Sequence, residues 1–195
     1  MDILIATSNP SKLQQFKNVF AQIEGDFNLY SLDDLEIDDD VEEDQPTVME
    51  NAVKKATFFS KLAKMPALSD DFGIFVDALG GDFPGVFSRR WMNGSDEDRC
   101  YSLIEKLESV PDEKRVASYI GAVVLCCPKR GVYTSQVNTR GRIIAPSPSE
   151  NWFGYDPIFY YPRLVKTFSQ FSQLELDQFG HRGVGVRRIL LKIKK

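Results

Sequence analysis

The sequence has 195 residues, of which 43% are hydrophobic and 27% charged, a balance that indicates a globular chain with its own core. A chain of this length forms one domain, or one domain with two lobes. The formal net charge is −4, which argues against duplex nucleic acid as a partner because such binders usually carry a basic excess. No basic leader and no apolar run long enough for a bilayer occur, so we expect neither a signal peptide nor membrane contact.

The cysteine and histidine content favours reduced thiols over a metal or disulfide framework. The sequence has three cysteines, an odd number: Cys100, Cys126 and Cys127. The last two are adjacent in an apolar run. Buried, reduced thiols in a cytoplasmic protein are the expected interpretation. A zinc centre with several histidines is excluded because His181 is the only histidine.

The hydrophobic pattern and the helix-capping signals predict a mixture of strands and helices. In chain order, the expected elements are a strand over 2–6, a helix from Pro10 to Gly25, a strand near 27–32, a solvated acidic loop over 33–44, a helix from Thr47, a short buried segment ending at 68–71, a helix after Ser95, a strand over 116–127, its hairpin partner over 132–144, a strand over 158–161 and a helix over 184–193. This order predicts an α/β or α+β fold with a central mixed sheet.

The motif TSNPSK, Thr7 to Lys12, places a short polar loop between the first strand and the first helix. A helix N-terminus presents backbone N–H groups and a partial positive charge, which together bind phosphate, and Lys12 adds a full charge. The GK[ST] ending of a Walker A loop is absent. The alternative is that Ser8 or Asn9 only caps the helix.

Three acids, Glu43, Asp70 and Asp71, are candidate metal ligands. Mg²⁺ prefers oxygen ligands and usually takes one or two carboxylates together with substrate phosphates. Asp70 and Asp71 follow an apolar segment, and a buried strand would deliver them to one edge of a sheet. Acids against an apolar run are costly unless they are paired or bind a metal. A turn or capping pair is the alternative for an isolated Asp-Asp.

Two further motifs combine rings, glycines and charged groups. WFGYDPIF, from Trp152 to Phe159, offers aromatic rings beside a polar turn, which suits a flat base. A turn in the hydrophobic core is its alternative. GHRG, from Gly180 to Gly183, flanks the histidine and an arginine with glycines, and its alternative is a surface loop that leads into the last helix.

Each motif is weak by itself, but their order and spacing resemble the inosine triphosphate pyrophosphatase family, the Ham1-like enzymes. The matching segments are TSNPSK, ENAVKKA, the Asp-Asp pair before VDALGGDFPGVFSRRW, FGYDPIF and HRG. Together they cover the chain from about Ile3 to about Arg188. We therefore expect one domain over residues 1–195.

The resemblance implies a fold, an activity and a cofactor. The implied fold is α/β, with an elongated mixed β-sheet, flanking helices and two lobes around a central cleft. The implied activity is the Mg²⁺-dependent hydrolysis of ITP, dITP and XTP to the nucleoside monophosphate and pyrophosphate. A cytoplasmic homodimer acting on a small-molecule substrate, a purine nucleoside triphosphate, is also implied.

The resemblance carries over roles for individual residues. Glu43 and Asp71 match the metal-binding acids, and Asp71 also matches the proposed proton acceptor, with Asp70 as the alternative. The implied substrate-binding residues are Thr7, Ser8, Asn9, Pro10, Ser11, Lys12, Lys55 and Arg90 on the phosphate side, and Phe153, Gly154, Tyr155, Asp156, His181 and Arg182 on the base side.

The sequence also departs from the family pattern. Phe72 replaces a Ser or Thr after the Asp-Asp pair, Leu176 replaces a lysine five residues before the histidine, and Gly180 replaces a serine. A glycine-rich approach to FGYD is replaced by residues 149–152. These losses leave two alternatives to the expected enzyme: a catalytically weakened nucleotide-binding protein, and a pyrophosphatase with a shifted base preference.

Overall fold

The structure is a computed structural model and describes residues 1–146 and 152–193. Residues 149–151, where the sequence departs from the family pattern, lie outside the described part of the chain. The strands are β1 (Asp2–Ile5), β2 (Asn28–Tyr30), β3 (Ala67–Val76), β4 (Pro84–Gly85), β5 (Val116–Cys127), β6 (Gly131–Ile143), β7 (Phe159–Tyr161) and β8 (Lys166–Thr167). The α-helices are α1 (Pro10–Ala21), α2 (Val48–Ala63), α3 (Asp96–Glu105), α4 (Gln173–Phe179) and α5 (His181–Ile193).

The strands form one mixed sheet. Its order is β2-β1-β3-β5-β6-β7-β8, and β4 pairs with β3. β1 is parallel to β2, with Asp2 opposite Asn28, and parallel to β3, with Leu4 opposite Ala67. The β3–β4, β6–β7 and β7–β8 pairs are antiparallel. The prediction of a mixed α/β sheet with helices is therefore confirmed.

The chain divides into two compact units. Unit 1 comprises Met1–Asp71, Gly121–Val137 and Asp177–Lys195, and unit 2 comprises Phe72–Ile120 and Asn138–Leu176. The strands β3, β5 and β6 each contribute residues to both units. The boundary in β3 falls between Asp71 and Phe72.

In unit 1 the sheet is buried on both faces. One core cluster joins Ile3, Ile5 and Leu68 to α1 and α5, and the other joins Leu4 and Ala67 to α2. Adjacent residues of β1 and β3 thus pack against different helices, because successive side chains of a strand point to opposite faces. A parallel sheet covered on both faces is the usual arrangement of an α/β protein.

Unit 2 has an aromatic core. The ring centroids of Phe159 and Phe168 lie 4.9 Å apart, and those of Phe168 and Phe171 lie 4.8 Å apart. Tyr119 of β5 joins this cluster with its ring 5.4 Å from Phe159. These side chains supply the apolar area that stabilises unit 2.

Several predicted elements match the structure, and the predicted end of the third strand was wrong. β5 has the predicted bounds, and Ser95 caps α3 with a reciprocal bond to Asp98. β3 does not end at Asp71 but continues to Val76, so the two acids lie within the strand. The last helix, predicted over 184–193, begins at His181, which is buried, and this excludes the surface loop that was the alternative for GHRG.

The three thiols agree with the sequence analysis. Cys100, Cys126 and Cys127 are all buried and free. Burial raises the pKa of the Cys100 thiol to about 12, which keeps it protonated. Over the described residues, we find no helix that combines the length and the apolar character needed to span a membrane.

Candidate active site

Asp70 lies at the centre of a buried cluster of charges in unit 1. Its carboxylate is 3.2 Å from Lys12 Nζ, 2.6 Å from an Arg182 guanidinium nitrogen and 3.3 Å from His181 Nε2. Asp70 is only 2% exposed. Burial by itself raises the pKa of Asp70, but Arg182, Lys12 and His181 together hold it well below its ordinary value. Asp70 is therefore ionised at neutral pH and pairs with two cations, Lys12 and Arg182.

The first turns of two helices bring these groups to Asp70. Lys12 lies in the first turn of α1, and His181 and Arg182 open α5. A Cβ atom on Gly121 of β5 would collide with the His181 ring. The glycine thus allows the histidine to lie directly on the sheet. Burial, and next the Arg182 charge, lower the pKa of His181 to about 4, so its imidazole is neutral at neutral pH.

Asp71 points to the other face of β3 and has different partners. Asn51 of α2 donates a hydrogen bond of 3.0 Å to Asp71 Oδ2, and the Asn51 side-chain oxygen accepts one of 2.9 Å from the Gln45 backbone. Burial, and next the negative charge of Glu43, raise the pKa of Asp71 to about 6. Asp71 thus holds its proton at a higher pH than an ordinary aspartate, as a group that exchanges protons near neutral pH should.

The acidic segment that contains Glu43 is tied to α2. Lys55 pairs with the Glu43 carboxylate, and Lys54 pairs with Asp44 at 2.6 Å and donates to the Glu42 carbonyl at 2.9 Å. The prediction of a solvated loop is right for most of this stretch, but Glu43 itself is partly buried. These contacts hold Glu43 in place, so that a loop residue affects the pKa of Asp71.

The donor set of Glu43 and Asp71 fits a hard divalent cation. Burial and, after it, the negative charge of Glu43 disfavour the ionised form of Asp71, and a bound cation would favour that form. Among the residues that the structure describes, no cluster of three or more His, Cys, Asp or Glu side chains is placed to hold a metal. A pair of carboxylates is compatible with Mg²⁺, which completes its coordination with water and substrate oxygens.

The loop before α1 forms a regular helix cap. The Asn9 side-chain oxygen accepts hydrogen bonds from the backbone N–H groups of Ser11, at 2.9 Å, and Lys12, at 3.2 Å. Thr7 Oγ1 accepts one from the Asn9 backbone at 3.2 Å. Ser8, Pro10 and Ser11 are exposed. Asn9 therefore caps the helix as the alternative interpretation stated, and a phosphate here would compete with it for the same N–H groups.

The aromatic residues that were predicted to bind a base lie in unit 2. Phe72 stacks on Tyr119, with centroids 5.3 Å apart and an interplanar angle of 15°, and lies 6.1 Å from Phe153. The Tyr155 hydroxyl accepts a 2.7 Å hydrogen bond from Trp91 Nε1 and donates to the Ser88 carbonyl. Tyr155 is buried, so it supports this segment from within.

The remaining predicted residues lie as follows. Arg90 is exposed in unit 2, where it donates to the Val86 carbonyl at 3.3 Å. Asp156 is partly buried, and its carbonyl accepts a 3.2 Å bond from the Ser169 backbone. His181 and Arg182, predicted for the base side, belong to unit 1 together with Lys12, Lys55, Glu43 and Asp71.

Sequence reasoning missed three residues that organise the charged cluster. Asn51 was noted only as part of ENAVKKA, yet it is 1% exposed and orients Asp71. Gln15 accepts a 2.7 Å hydrogen bond from Arg182. Gly121 receives the His181 ring. Asn51 could have been found from the sequence, because an asparagine on the apolar face of a helix indicates a buried polar contact. No pattern near Gln15 or Gly121 indicates that these residues contact α5.

Comparisons with known proteins agree over the whole chain. The model of the Ham1 family matches residues 3–191. A dITP/XTP pyrophosphatase from Thermus thermophilus is 35% identical over 191 residues, which are 97% of this chain and 90% of that protein. One from Geobacter sulfurreducens is 38% identical over 183 residues, or 93% of this chain and 90% of that protein. The solved structure of the Staphylococcus aureus Ham1 protein has a TM-score of 0.83 at 33% identity, with all of both chains covered.

Proposed function

The chain belongs to the Ham1 family, and from this premise we propose that it hydrolyses non-standard purine nucleoside triphosphates. The substrates are ITP, dITP and XTP, and the products are the nucleoside monophosphate and pyrophosphate. Relatives named dITP/XTP pyrophosphatase support this reaction. The reaction would remove damaged nucleotides from the pool in the cytoplasm.

The observation that carries the proposal is that Asp70 and Asp71, although adjacent, have different partners and opposite pKa shifts. Asp70 is a buried anion that holds Lys12 and Arg182, and its lowered pKa makes it a poor proton acceptor. Asp71 lies beside Asn51 and Glu43, and its pKa is about 6. In this proposal Asp70 holds the cations and Asp71 transfers the proton, and the two residues lie on opposite faces of one strand.

These residues suggest how the anhydride bond is cleaved. Glu43 and Asp71 would hold a divalent metal, proposed as Mg²⁺, which when bound polarises the phosphate oxygens. Asp71 would accept the proton of the attacking water, the role that the resemblance assigns to it. Lys12 and Lys55 neutralise the charge of the phosphate groups, and Thr7 to Ser11 lie beside the first of these cations. Arg90 is assigned to phosphate by the resemblance alone.

Base recognition is proposed from the aromatic segment of unit 2. Phe153 would stack on the purine, with Gly154, Tyr155 and Asp156 shaping that side. The resemblance alone assigns His181 and Arg182 to the base, and the 6-keto group that distinguishes inosine and xanthosine from adenine would need a donor. A buried donor that meets an amino group is left unpaired, and such mismatches are strongly rejected.

The test is pyrophosphate release with the wild-type protein and Mg²⁺ across ITP, dITP, XTP, GTP, ATP and the pyrimidine triphosphates. We expect release from the first three, little from the others, and none after chelation by EDTA until Mg²⁺ is restored. Asp71→Asn is the matched variant, because it keeps the shape and the Asn51 contact but removes the base. Equal release from ATP and ITP would refute the base preference.

A weakened nucleotide-binding protein is the second candidate, and two observations favour it. Leu176 lies partly buried in α4, where an apolar side chain replaces a cation, and Phe72 is stacked on Tyr119 where a hydroxyl is usual. Calorimetry distinguishes the two candidates. Binding of ITP without any pyrophosphate release in a folded protein would establish the second.

The homodimer is also a proposal that rests on the family. Light scattering after size-exclusion chromatography tests it, and a mass near twice 22.1 kDa is expected. A mass that stays near the single-chain value at all concentrations would contradict it.

A further inference from the structure

The backbone of Gly154, within the proposed base-binding segment, is held on both sides by α3. The Asp96 carboxylate accepts a 2.8 Å hydrogen bond from the Gly154 N–H. The Cys100 thiol, one turn further along α3, lies 3.3 Å from the Gly154 carbonyl and donates to it. The raised pKa of Cys100 keeps the thiol protonated, so this donor persists at neutral pH.

Gly154 adopts a conformation that needs such support. Its φ is +55°, in the left-handed region that residues with a side chain rarely adopt. The same turn places Phe153 toward Phe72 and Tyr155 toward Trp91. The two hydrogen bonds from α3 therefore fix Gly154, on whose two sides Phe153 turns toward Phe72 and Tyr155 turns into the core.

Helix stability alone does not explain the position of Asp96. The N-cap of α3 is already satisfied, because Ser95 and Asp98 exchange side-chain and backbone hydrogen bonds of 2.8 and 3.1 Å. Asp96 instead uses one carboxylate oxygen for Gly154 and the other for an ion pair with Arg99. Arg99 is buried and donates a 2.7 Å bond to the Gly94 carbonyl, which holds the carboxylate in one orientation.

We propose that Asp96 is a positioning residue for base recognition, which acts by fixing Gly154 and hence the ring of Phe153. The inference rests on the proposed function, since it assumes that Phe153 stacks on a purine. The described side-chain contacts of Asp96 are with Gly154 and Arg99, and none of them involves Asp71, Asn51 or Glu43. Loss of Asp96 therefore weakens the binding of the base and leaves the chemical step intact.

The experiment compares Asp96→Ala, Asp96→Asn and Asp98→Ala with the wild type. Asp96→Ala removes the acceptor of the Gly154 N–H and raises KM for ITP about tenfold, while kcat stays within about twofold. Asp96→Asn keeps an acceptor oxygen and restores KM to within about threefold of wild type. Asp98→Ala removes the Asp98 side-chain half of the capping box without touching Gly154, so it lowers Tm but leaves KM unchanged.

Product inhibition gives a readout that a general loss of stability would not move. IMP carries the base and pyrophosphate does not, so Asp96→Ala raises the inhibition constant of IMP and leaves that of pyrophosphate unchanged. Equal KM changes in Asp96→Ala and Asp98→Ala, or a change in both inhibition constants, would overturn the inference while wild-type activity still stands. A wild type that neither binds nor hydrolyses ITP overturns the proposed function, and the inference with it.

Discussion

The two units of the molecule differ in what they bury besides aliphatic side chains. Unit 1 buries charges: Asp70, Lys12 and Arg182 are each less than a tenth exposed and compensate one another. Unit 2 buries rings: Phe159, Phe168 and Tyr119 form a cluster held by edge and tilted contacts. The change from one chemistry to the other occurs within β3, between Asp71 and Phe72.

This difference indicates where each kind of substitution should act. Buried charges are stabilising only as a complete set, because removal of one partner leaves the others without compensation. Aromatic contacts are replaceable in part, since another apolar side chain recovers most of the buried area. We therefore expect large, specific effects in the charged cluster and graded effects among the rings.

The largest effect is expected from Asp71→Asn. Loss of the proton acceptor should lower kcat for ITP by about a thousandfold, within the range usual for a general base. Pyrophosphate release measures this, and Asp44→Asn is the control, an exposed acid one residue from Glu43 that pairs only with Lys54 and Gln45 in the described contacts. Activity near wild type in Asp71→Asn would remove Asp71 from the mechanism.

The second effect is the destabilisation caused by Asp70→Asn. Lys12 and Arg182 would remain buried without their counter-charge, which should lower the free energy of unfolding by about 3 kcal/mol. Urea denaturation followed by circular dichroism measures it. Asp77→Asn breaks the exposed pair with Arg140 and should cost about 0.5 kcal/mol or less. Equal losses of unfolding free energy in Asp70→Asn and Asp77→Asn would show that the buried charges around Asp70 contribute no more stability than an exposed ion pair.

Gly121→Ala tests how tightly α5 is seated on the sheet. The added Cβ would collide with the His181 ring and should lower the free energy of unfolding by about 1–3 kcal/mol. A double-mutant cycle with His181→Ala isolates the clash, because removal of the ring should recover part of the loss. If the losses of unfolding free energy in the two single variants add up to that of the double variant, the clash with the His181 ring is not the cause.

The smallest effect is expected in the aromatic stack of unit 2. Phe72→Leu keeps an apolar side chain but loses the stacked contact with Tyr119, which should cost about 1 kcal/mol of unfolding free energy. Phe87→Leu, at a ring that is 59% exposed, is the control and should be close to neutral. A larger loss for Phe87→Leu than for Phe72→Leu would contradict the assigned role of the stack.

Much of the local structure follows from short-range patterns. The start of α1 at Pro10, the capping of α2 by Thr47, the start of α3 after Ser95 and the bounds of β5 were all predicted correctly. The end of β3 was predicted wrongly, because two consecutive aspartates were taken as a strand end. Their side chains instead find partners on opposite faces, which tertiary contacts alone provide.

The sequence by itself determined the family, the alternation of strands and helices, and the set of candidate residues, because caps, periodicities and motifs involve neighbours within a few positions. Only the tertiary structure decided how these residues are paired. Arg182 meets Asp70 across 112 positions, and Asp96 meets Gly154 across 58. Such pairs depend on how distant elements pack, so the environments that give Asp70 and Asp71 their different pKa values arise only in the folded chain.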